Sequence, residues 1–328
     1  MSSIPLFFWE GILPGTALFH ALSALNFELR EDHRLPLAEP SGKRQQELSQ
    51  HLDEADHKAF FDSLRLDDRA TVLSEMLTGA SDFLEAVPCG DKVMANEEFA
   101  CELRTRLCVR QYVDDSWCPL CDSVLDAKGR HAHVCPSGGD RTRRHNAIRN
   151  KAGAFADSAG FNPELEKPGL LQPSSEQPGA QQRRPADVFI PAWKQGMPAA
   201  LDFAVTSPHR QDIRLEASRC SGVAAVAYEQ HKRDHLNTDR DCQQQGFAFL
   251  PIVAETSAGW GPSAVCVFKT FARAISSRTG EDAAVVLQDH RQSIGIALRR
   301  ANARATFARQ PVTASFDDPA LAAAAALS

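Results

Sequence analysis

The sequence predicts an α/β chain carrying a small zinc knuckle and an N-terminal helical region. Three observations predict it. Short apolar runs at 188–190, 200–206 and 247–254 have the length and bounding prolines of buried strands. Long stretches around them repeat apolar residues at three- and four-residue steps, the period of helices packed on a core. Between the two regions lies Cys118-Pro-Leu-Cys121, followed by His131 and Cys135, a compact set of metal-ligand types.

The elements follow in order. Residues 1–40 carry no clear period, and Pro36, Pro40 and Ser41-Gly42 read as a break. From Lys43 to about Thr78, Leu48, Leu52, Phe60, Leu64, Val72, Leu73 and Leu77 recur at helical spacing. Gly79-Ala80-Ser81 ends that run, Ser81 or Asp82 caps a short turn with Phe83 and Leu84, and Pro88 closes it. Asn96 to Arg106 predicts a helix with Phe99, Leu103 and Leu107 on one face. Asp140 to Ala159 predicts a basic amphipathic helix with Ile148, Ala152 and Phe155 inward. Gly169 to Arg184 is rich in Pro, Gln and Ser and reads as a loop. Val188-Phe189-Ile190 and Ala200 to Thr206 suit strands, and Ala217 to Leu236 a helix. Phe247 to Ala254 suits a third strand, which Pro251 places at an edge because it lacks an N–H. Helices over Pro262–Ser277 and Glu281–Phe307 precede an alanine-rich, disordered tail. The expected divisions are 1–117 (acidic, helical), 118–140 (knuckle), 141–307 (α/β domain) and 308–328 (tail).

Length and charge bound the class. A chain of 328 residues with 43% apolar and 24% charged residues suits two globular domains, or one with an accessory part. The net charge of −6 hides a split. Residues 1–127 hold 11 basic and 23 acidic residues, while 128–328 hold 25 and 19. That asymmetry signals a partner, with the basic part facing phosphate. Nine cysteines with a single Cys-x2-Cys argue for a metal site in a reducing compartment rather than a disulfide framework. The apolar stretch Ile4 to Leu25 contains Pro5, Glu10 and Pro14 and lacks a positive leader, which argues against a signal peptide. No run reaches the ~18 uninterrupted apolar residues of a membrane span, so no membrane partner is expected.

The knuckle spacing is Cys118-x2-Cys121-x9-His131-x3-Cys135. Zn²⁺ takes four N or S ligands in a tetrahedron, and Cys-x2-Cys supplies two from one turn. Gly129 lets the chain return to the second pair. His133 is a rival for His131, but a single residue separates it from Cys135. No spare acid stands nearby, which favours a structural zinc. Just upstream, Tyr112-Val113-Asp114-Asp115 has the Tyr-x-Asp-Asp form of a polymerase palm without flanking strand pattern, and reads as an acidic linker.

A second constellation follows. Asp187 opens one strand and Asp202 lies inside Ala-Leu-Asp-Phe-Ala-Val, 15 positions on. A turn at Trp193–Gly196 brings the two carboxylates together. Phosphodiester hydrolysis needs such a pair to bind Mg²⁺, which activates water and offsets phosphate charge. An acid within an apolar strand is costly unless paired or metal-bound, so Asp202 is either a metal ligand or an ion-paired structural aspartate. Glu166 before Lys-Pro-Gly is either a helper acid or an exposed loop acid.

Taken together, Cys-Pro-Leu-Cys (118–121), His131, Cys135, Gly-Gly-Asp-Arg-Thr-Arg-Arg-His-Asn (138–146), Glu-Lys-Pro-Gly-Leu-Leu (166–171), Arg-Arg-Pro-Ala-Asp-Val (183–188) and Leu-Asp-Phe-Ala-Val-Thr-Ser-Pro (201–208) resemble the C-terminal region of non-LTR retrotransposon polyproteins. There a reverse transcriptase precedes a CCHC knuckle and a restriction-like endonuclease of the PD-(D/E)XK type. The resemblance spans residues 81 to about 300. It implies a restriction-endonuclease-like core (a mixed central sheet flanked by helices), structural Zn²⁺, catalytic Mg²⁺ and DNA nicking in the nucleus. It carries Asp187 and Asp202 onto the magnesium-binding acids and Glu166 onto a helper acid. The usual lysine two residues after the second acid is Ala204 here. In the retrotransposon branch that lysine moves to a following helix, where this chain offers Lys232; the bland alternative is a solvated helix lysine. His231 and His235, one turn apart, are a further possible metal pair. Arg141, Arg143, Arg144, His145, Arg149 and Lys151 form the expected DNA-backbone contact surface.

The resemblance implies DNA as partner, with retroelement RNA and a reverse transcriptase as further ones, and no small-molecule substrate. The competing readings are a nucleic-acid-binding protein on a dead nuclease fold and a zinc-stabilised interaction scaffold.

Overall fold

The computed structural model describes residues 17–31, 34, 45–171 and 184–310. The expected break at Pro36–Gly42, most of the loop before Arg184 and the tail from Pro311 lie outside those residues. Two compact units divide the chain, Met1–Arg65 and Leu66–Ser328. In the first, α1 spans Ala17–Glu28 and α2 spans Gln45–Ser63. The helical run expected from Lys43 to Thr78 is therefore broken at Leu64-Arg65, and α3 (Leu66–Glu75) starts afresh. Asp67 and Asp68 occupy its first turn, where negative charge complements the helix dipole.

The second unit continues with α4 (Asp82–Glu85), a 3₁₀ turn at Gly90–Lys92 and α5 (Asn96–Arg106). A hairpin of β1 (Ser116–Trp117) and β2 (Val124–Leu125) leads to α6 (Arg130–Val134) and α7 (Asp140–Ser158). Then come β3 (Glu164–Leu165), β4 (Val188–Lys194) and β5 (Met197–Thr206). The short α8 (Arg214–Ala217), α9 (Val223–Asp234), a 3₁₀ turn at His235–Asn237 and α10 (Thr238–Gln244) cross over to β6 (Ala248–Glu255). α11 (Pro262–Thr279) and α12 (Ala283–Phe307) complete the unit.

The sheet is mixed, in the order β3-β4-β5-β6. The first two pairings are antiparallel, and β6 runs parallel to β5. Gln195 and Gly196, both at positive φ (54° and 78°), form the two-residue turn between β4 and β5, the conformation that matches strand twist. Pro251 sits on β6, an edge strand, as its missing donor requires.

Alternation along β5 sorts its side chains to two faces. Ala199, Leu201 and Phe203 join Ile148, Ala152 and Phe155 of α7 with Phe268 and Phe271 of α11 in the main core. Ala200 packs with Phe189, Cys242, Phe247 and Phe249, while Ala204 packs with Ala225, Val253 and Tyr228. Thus α7, α11 and α12 cover one face, and α9 and α10 the other.

One expected face is wrong. On α5 the buried residues are Glu98, Cys101 and Glu102, whereas Phe99 is 37% and Leu107 61% exposed. Arg299 of α12 explains it. The fully buried guanidinium donates to Glu102 (3.0 Å) and Glu75 (2.7 Å) and lies over the Phe83 ring. Arg304 donates to Glu98 at 3.0 Å. The charged side of α5 therefore faces inward because α12 supplies partners.

Candidate metal and carboxylate sites

The cysteine and histidine set assembles as the spacing suggests. Ligand atoms of Cys118, Cys121, His131 and Cys135 all lie within 4.8 Å of one another. Sulfur separations are 4.0 Å (Cys118 to Cys135) and 3.6 Å (Cys121 to Cys135), and Cys121 Sγ lies 3.2 Å from His131 Nε2. Tetrahedral zinc with Zn–S bonds of about 2.3 Å places sulfurs about 3.8 Å apart, so the donor set fits. All these cysteines are free thiols. The β1–β2 hairpin presents the first pair and α6 the second. His131 is held by its backbone N–H on Asp126 Oδ2 (2.8 Å), and burial pulls its pKa down, towards the neutral imidazole a metal needs. His133 is outside the set. It is buried elsewhere, and burial, with Arg144 adding to it, lowers its pKa to about 3.

Tyr112 of the Tyr-x-Asp-Asp motif is structural. Its ring packs on Cys118, Leu125 and Cys135, and its hydroxyl donates to Thr306 O at 2.8 Å. Asp115 accepts from Ala127 N at 2.7 Å, while Asp114 is exposed beside Arg110.

The three acids fall in one row. Val188 pairs with Leu201 and with Leu165, so extending both registers by one residue aligns Glu166, Asp187 and Asp202 across β3, β4 and β5. The bonds Glu166 N to Asp187 O and Asp187 N to Leu201 O, both 2.9 Å, continue that alignment. β3 had no legible signal in the sequence, yet it brings Glu166 to this level.

Like charges opposite each other repel, so the row needs compensation. Lys232 donates to Asp202 at 3.1 and 2.9 Å from its two oxygens. Asp187 Oδ2 accepts from Phe203 N at 2.6 Å and lies 3.0 Å from His145 Nε2. Lys232 reaches in from α9 and His145 from α7, on opposite faces. Burial pushes the Asp202 carboxyl up to about 6, Lys232 draws it down, and the like charge of Asp187 raises it again. Burial pulls the Lys232 ammonium down, but Asp202 outweighs this and its pKa rises. The hydrogen bond to Asp187 raises the pKa of His145. Glu166 diverges. Its φ of 49° turns it out of the strand, and its carboxylate is held by Arg149, one helical turn from His145.

The small residue at 204 has a packing reason. Ala204 shares a face with Asp202 and is covered by Ala225 of α9, which is 0% exposed. A lysine at 204 would overpack this contact. Residues 225, 228 and 232 share one side of α9 at helical spacing, so the helix that closes over Ala204 also delivers Lys232.

The basic helix is mostly engaged. Arg141 donates to Val134 O, Lys151 to Asp91 and Arg149 to Glu166. Arg143 bonds Asp140 but keeps a 71% exposed side chain. Arg144 is a correction to the expected contact surface. It is 2% exposed and donates to Asn302 at 3.1 Å, so it belongs to the α7–α12 packing. The His231 and His235 rings lie 5.5 Å apart, tilted by 38°, beside Tyr228, without a third metal-ligating group among the described residues. Arg309, buried next to the knuckle, carried no sequence signal and is the residue most clearly missed. Among the described residues, no helix is long and apolar enough to cross a membrane. Compared with protein-family models, curated proteins and solved structures, the chain matches none.

Proposed function

We propose that this chain is a metal-dependent DNA endonuclease with a structural zinc knuckle, built on a restriction-endonuclease-like core. The observation that carries the reading is Asp187 facing Asp202 across two strands with Lys232 on Asp202. Two adjacent carboxylates, one shifted upward by burial, are a hard oxygen donor set suited to a divalent cation. Bound there, Mg²⁺ supplies Lewis acidity towards phosphate and a more acidic water. The chain's own groups do the rest. Lys232 holds a proton at Nζ beside Asp202, where it orients or protonates an oxygen of the reacting phosphate. His145 orients Asp187. Glu166 is a more distant helper, engaged by Arg149. Cys118, Cys121, His131 and Cys135 hold Zn²⁺ and fix the local fold. DNA is the substrate; Arg143, whose side chain is 71% exposed, faces its backbone. Retroelement RNA, a reverse-transcriptase partner and a nuclear location are what the sequence resemblance adds.

A second reading has its own observation. Asp187 and Asp202 have Phe203 N, His145 and Lys232 as partners, as in a structural ion-pair network. On that reading the protein binds nucleic acid without cutting it. Plasmid nicking by the purified chain in Mg²⁺ and in EDTA separates the two. Nicking in Mg²⁺ alone is expected. Asp202→Ala should abolish it with DNA binding retained, and Lys232→Ala should slow it by about 10²–10⁴. A protein that binds DNA but cuts in neither Mg²⁺ nor Mn²⁺ is the binding-only protein.

A further inference from the structure

One face of β5 carries a row of side chains, each with a partner from outside the strand. Asp202, Ala204 and Thr206 alternate onto that face, about 6.6 Å from one to the next at about 3.3 Å per residue. Lys232 reaches Asp202 at 2.9 Å, and Tyr228 packs with Ala204 and Ala225. Beyond the strand, a turn at Ser207–Arg210 is closed by Arg210 N on Ser207 O (3.4 Å). It brings the Arg210 side chain back to the third position, where Nη1 lies 3.3 Å from Thr206 Oγ1. The guanidinium also covers the Tyr228 ring, 5.2 Å from its centroid. Lys232, Tyr228 and Arg210 thus line β5 as cation, aromatic ring and cation, starting at the carboxylate pair. Arg210 is oriented but not saturated. Asp212 accepts from its Nε at 3.1 Å and from its Nη2, and Thr206 takes one N–H of Nη1. A guanidinium has five N–H groups, so one on each terminal nitrogen has no acceptor among the described residues. The Arg210 side chain is 33% and that of Asp212 63% exposed, so their pair faces solvent and holds the fork in place without sequestering it.

We propose that Arg210, stacked on Tyr228, is a second phosphate-binding residue beside the carboxylate site: it grips the backbone of the bound DNA strand a few nucleotides from the phosphate that Lys232 and the acids engage. The inference rests on the nuclease reading of that site and adds the path of the strand, along β5 from Asp202 towards Thr206. Four residues of strand span about 13 Å, the rise of about four base steps at about 3.4 Å each. The chemistry selects phosphate. A planar fork fixed by a carboxylate on one edge and a ring on one face is preorganised to meet two oxygens of a tetrahedral anion. Tyr228 has a defined part in this. It fills the space over Ala204 and carries the guanidinium, so the ring is a platform for Arg210.

The experiment uses the full chain and a short fluorescent duplex of mixed sequence, with Ca²⁺ in place of Mg²⁺ so that binding is read without cutting. Arg210→Gln removes the charge, and Arg210→Lys keeps it without the fork. The slope of log affinity against log salt should fall by about 0.9 in Arg210→Gln, the value for one phosphate contact, with affinity down about 10-fold at about 0.1 M salt. Arg210→Lys should restore the slope, which a merely structural role would not allow. In the plasmid nicking assay, Arg210→Gln should raise KM by a similar factor and leave kcat close to parental, the pattern of lost binding away from the reacting phosphate. An unchanged slope in Arg210→Gln, or a lowered slope that Arg210→Lys does not restore, overturns the proposal. So does a fall in kcat at parental KM. If Arg210→Gln does not fold, backbone exchange on the parental chain with and without the duplex replaces it. Slowed exchange over 206–214 supports the proposal, and unchanged exchange there overturns it. The nuclease reading fails separately. If the chain nicks in neither Mg²⁺ nor Mn²⁺ while Arg210→Gln still lowers the slope, Arg210 remains a phosphate contact of a binding protein. A parental chain that binds no DNA overturns both.

Discussion

Glu102 is the residue whose chemistry is most out of the ordinary away from the two sites. It is 0% exposed, its Oε2 accepts from Arg299, and its Oε1 has no partner among the described residues. Burial pushes its pKa up to about 7, against the pull of Arg299. The sign follows directly. A carboxyl whose folded pKa exceeds its ordinary 4.5 binds its proton more tightly when folded. Its stabilising contribution is full below 4.5 and is lost as pH rises through about 7. Glu102→Gln should therefore flatten the fall in stability over that window, an effect of order 1–3 kcal/mol for a shift of this size. Urea unfolding at pH 5 and pH 7.5 measures it. A parental chain and a variant with the same pH dependence would place the burden on other groups. Arg299→Met should be far more damaging, because Glu75 and Glu102 would then be buried without their shared cation.

At the scale of elements, α5 and α7 show where sequence periodicity works and where it fails. The inward face of α7 is Ile148, Ala152 and Phe155, as apolar spacing predicts. On α5 the same rule selected Phe99, Leu103 and Leu107, yet Glu98 and Glu102 point inward. The rule assumes that charge faces water, and it has no access to an arginine nearly 200 positions away. The carboxylate row was legible in part. Apolar flanks expose Asp187 and Asp202, while the two-residue β3 that aligns Glu166 is too short for any period. Arg144 and Arg143 look alike in sequence and differ wholly in burial, which gives a test. Arg143→Ala should weaken DNA binding evenly across sequences and lower the salt slope by about one unit. Arg144→Ala should instead cost several kcal/mol of stability, with binding per folded molecule little changed. Salt-dependent binding titrations and thermal melts on both variants decide it. A salt slope altered by Arg144→Ala at full folding would return that arginine to the DNA surface.

The charge split between the chain's halves takes a different meaning at the scale of the molecule. A net −12 over residues 1–127 and +6 over 128–328 suggests an external anionic partner. Much of that partner is the chain itself. Asp68 pairs with Lys128 and Arg130, Glu75 and Glu102 with Arg299, Asp82 with Arg291, Glu98 with Arg300 and Arg304, and Asp91 with Lys151. These acids all lie between residues 66 and 117, so α3 to α5 belong electrostatically to the C-terminal part. The compact unit accordingly begins at Leu66, and every ligand and acid of both sites lies within it. Two truncations should therefore behave oppositely. A chain of 66–328 should fold, bind about one zinc and keep its thermal transition close to the parental one. A chain of 118–328, cut where the knuckle begins, loses Glu75 and Glu102 and strands Arg299 in the core. Leaving one buried charge unpaired costs about 3–5 kcal/mol, a large share of the stability of a typical domain. That shorter chain should be largely unfolded or aggregated, with poor zinc retention. Arg299→Met placed in it should recover part of the loss, because an apolar side chain no longer needs the missing acids. Circular dichroism melts and metal analysis on the three chains test this. A stable, zinc-loaded 118–328 fragment would mean that α3 to α5 are dispensable and that the buried charge network does not hold the unit together.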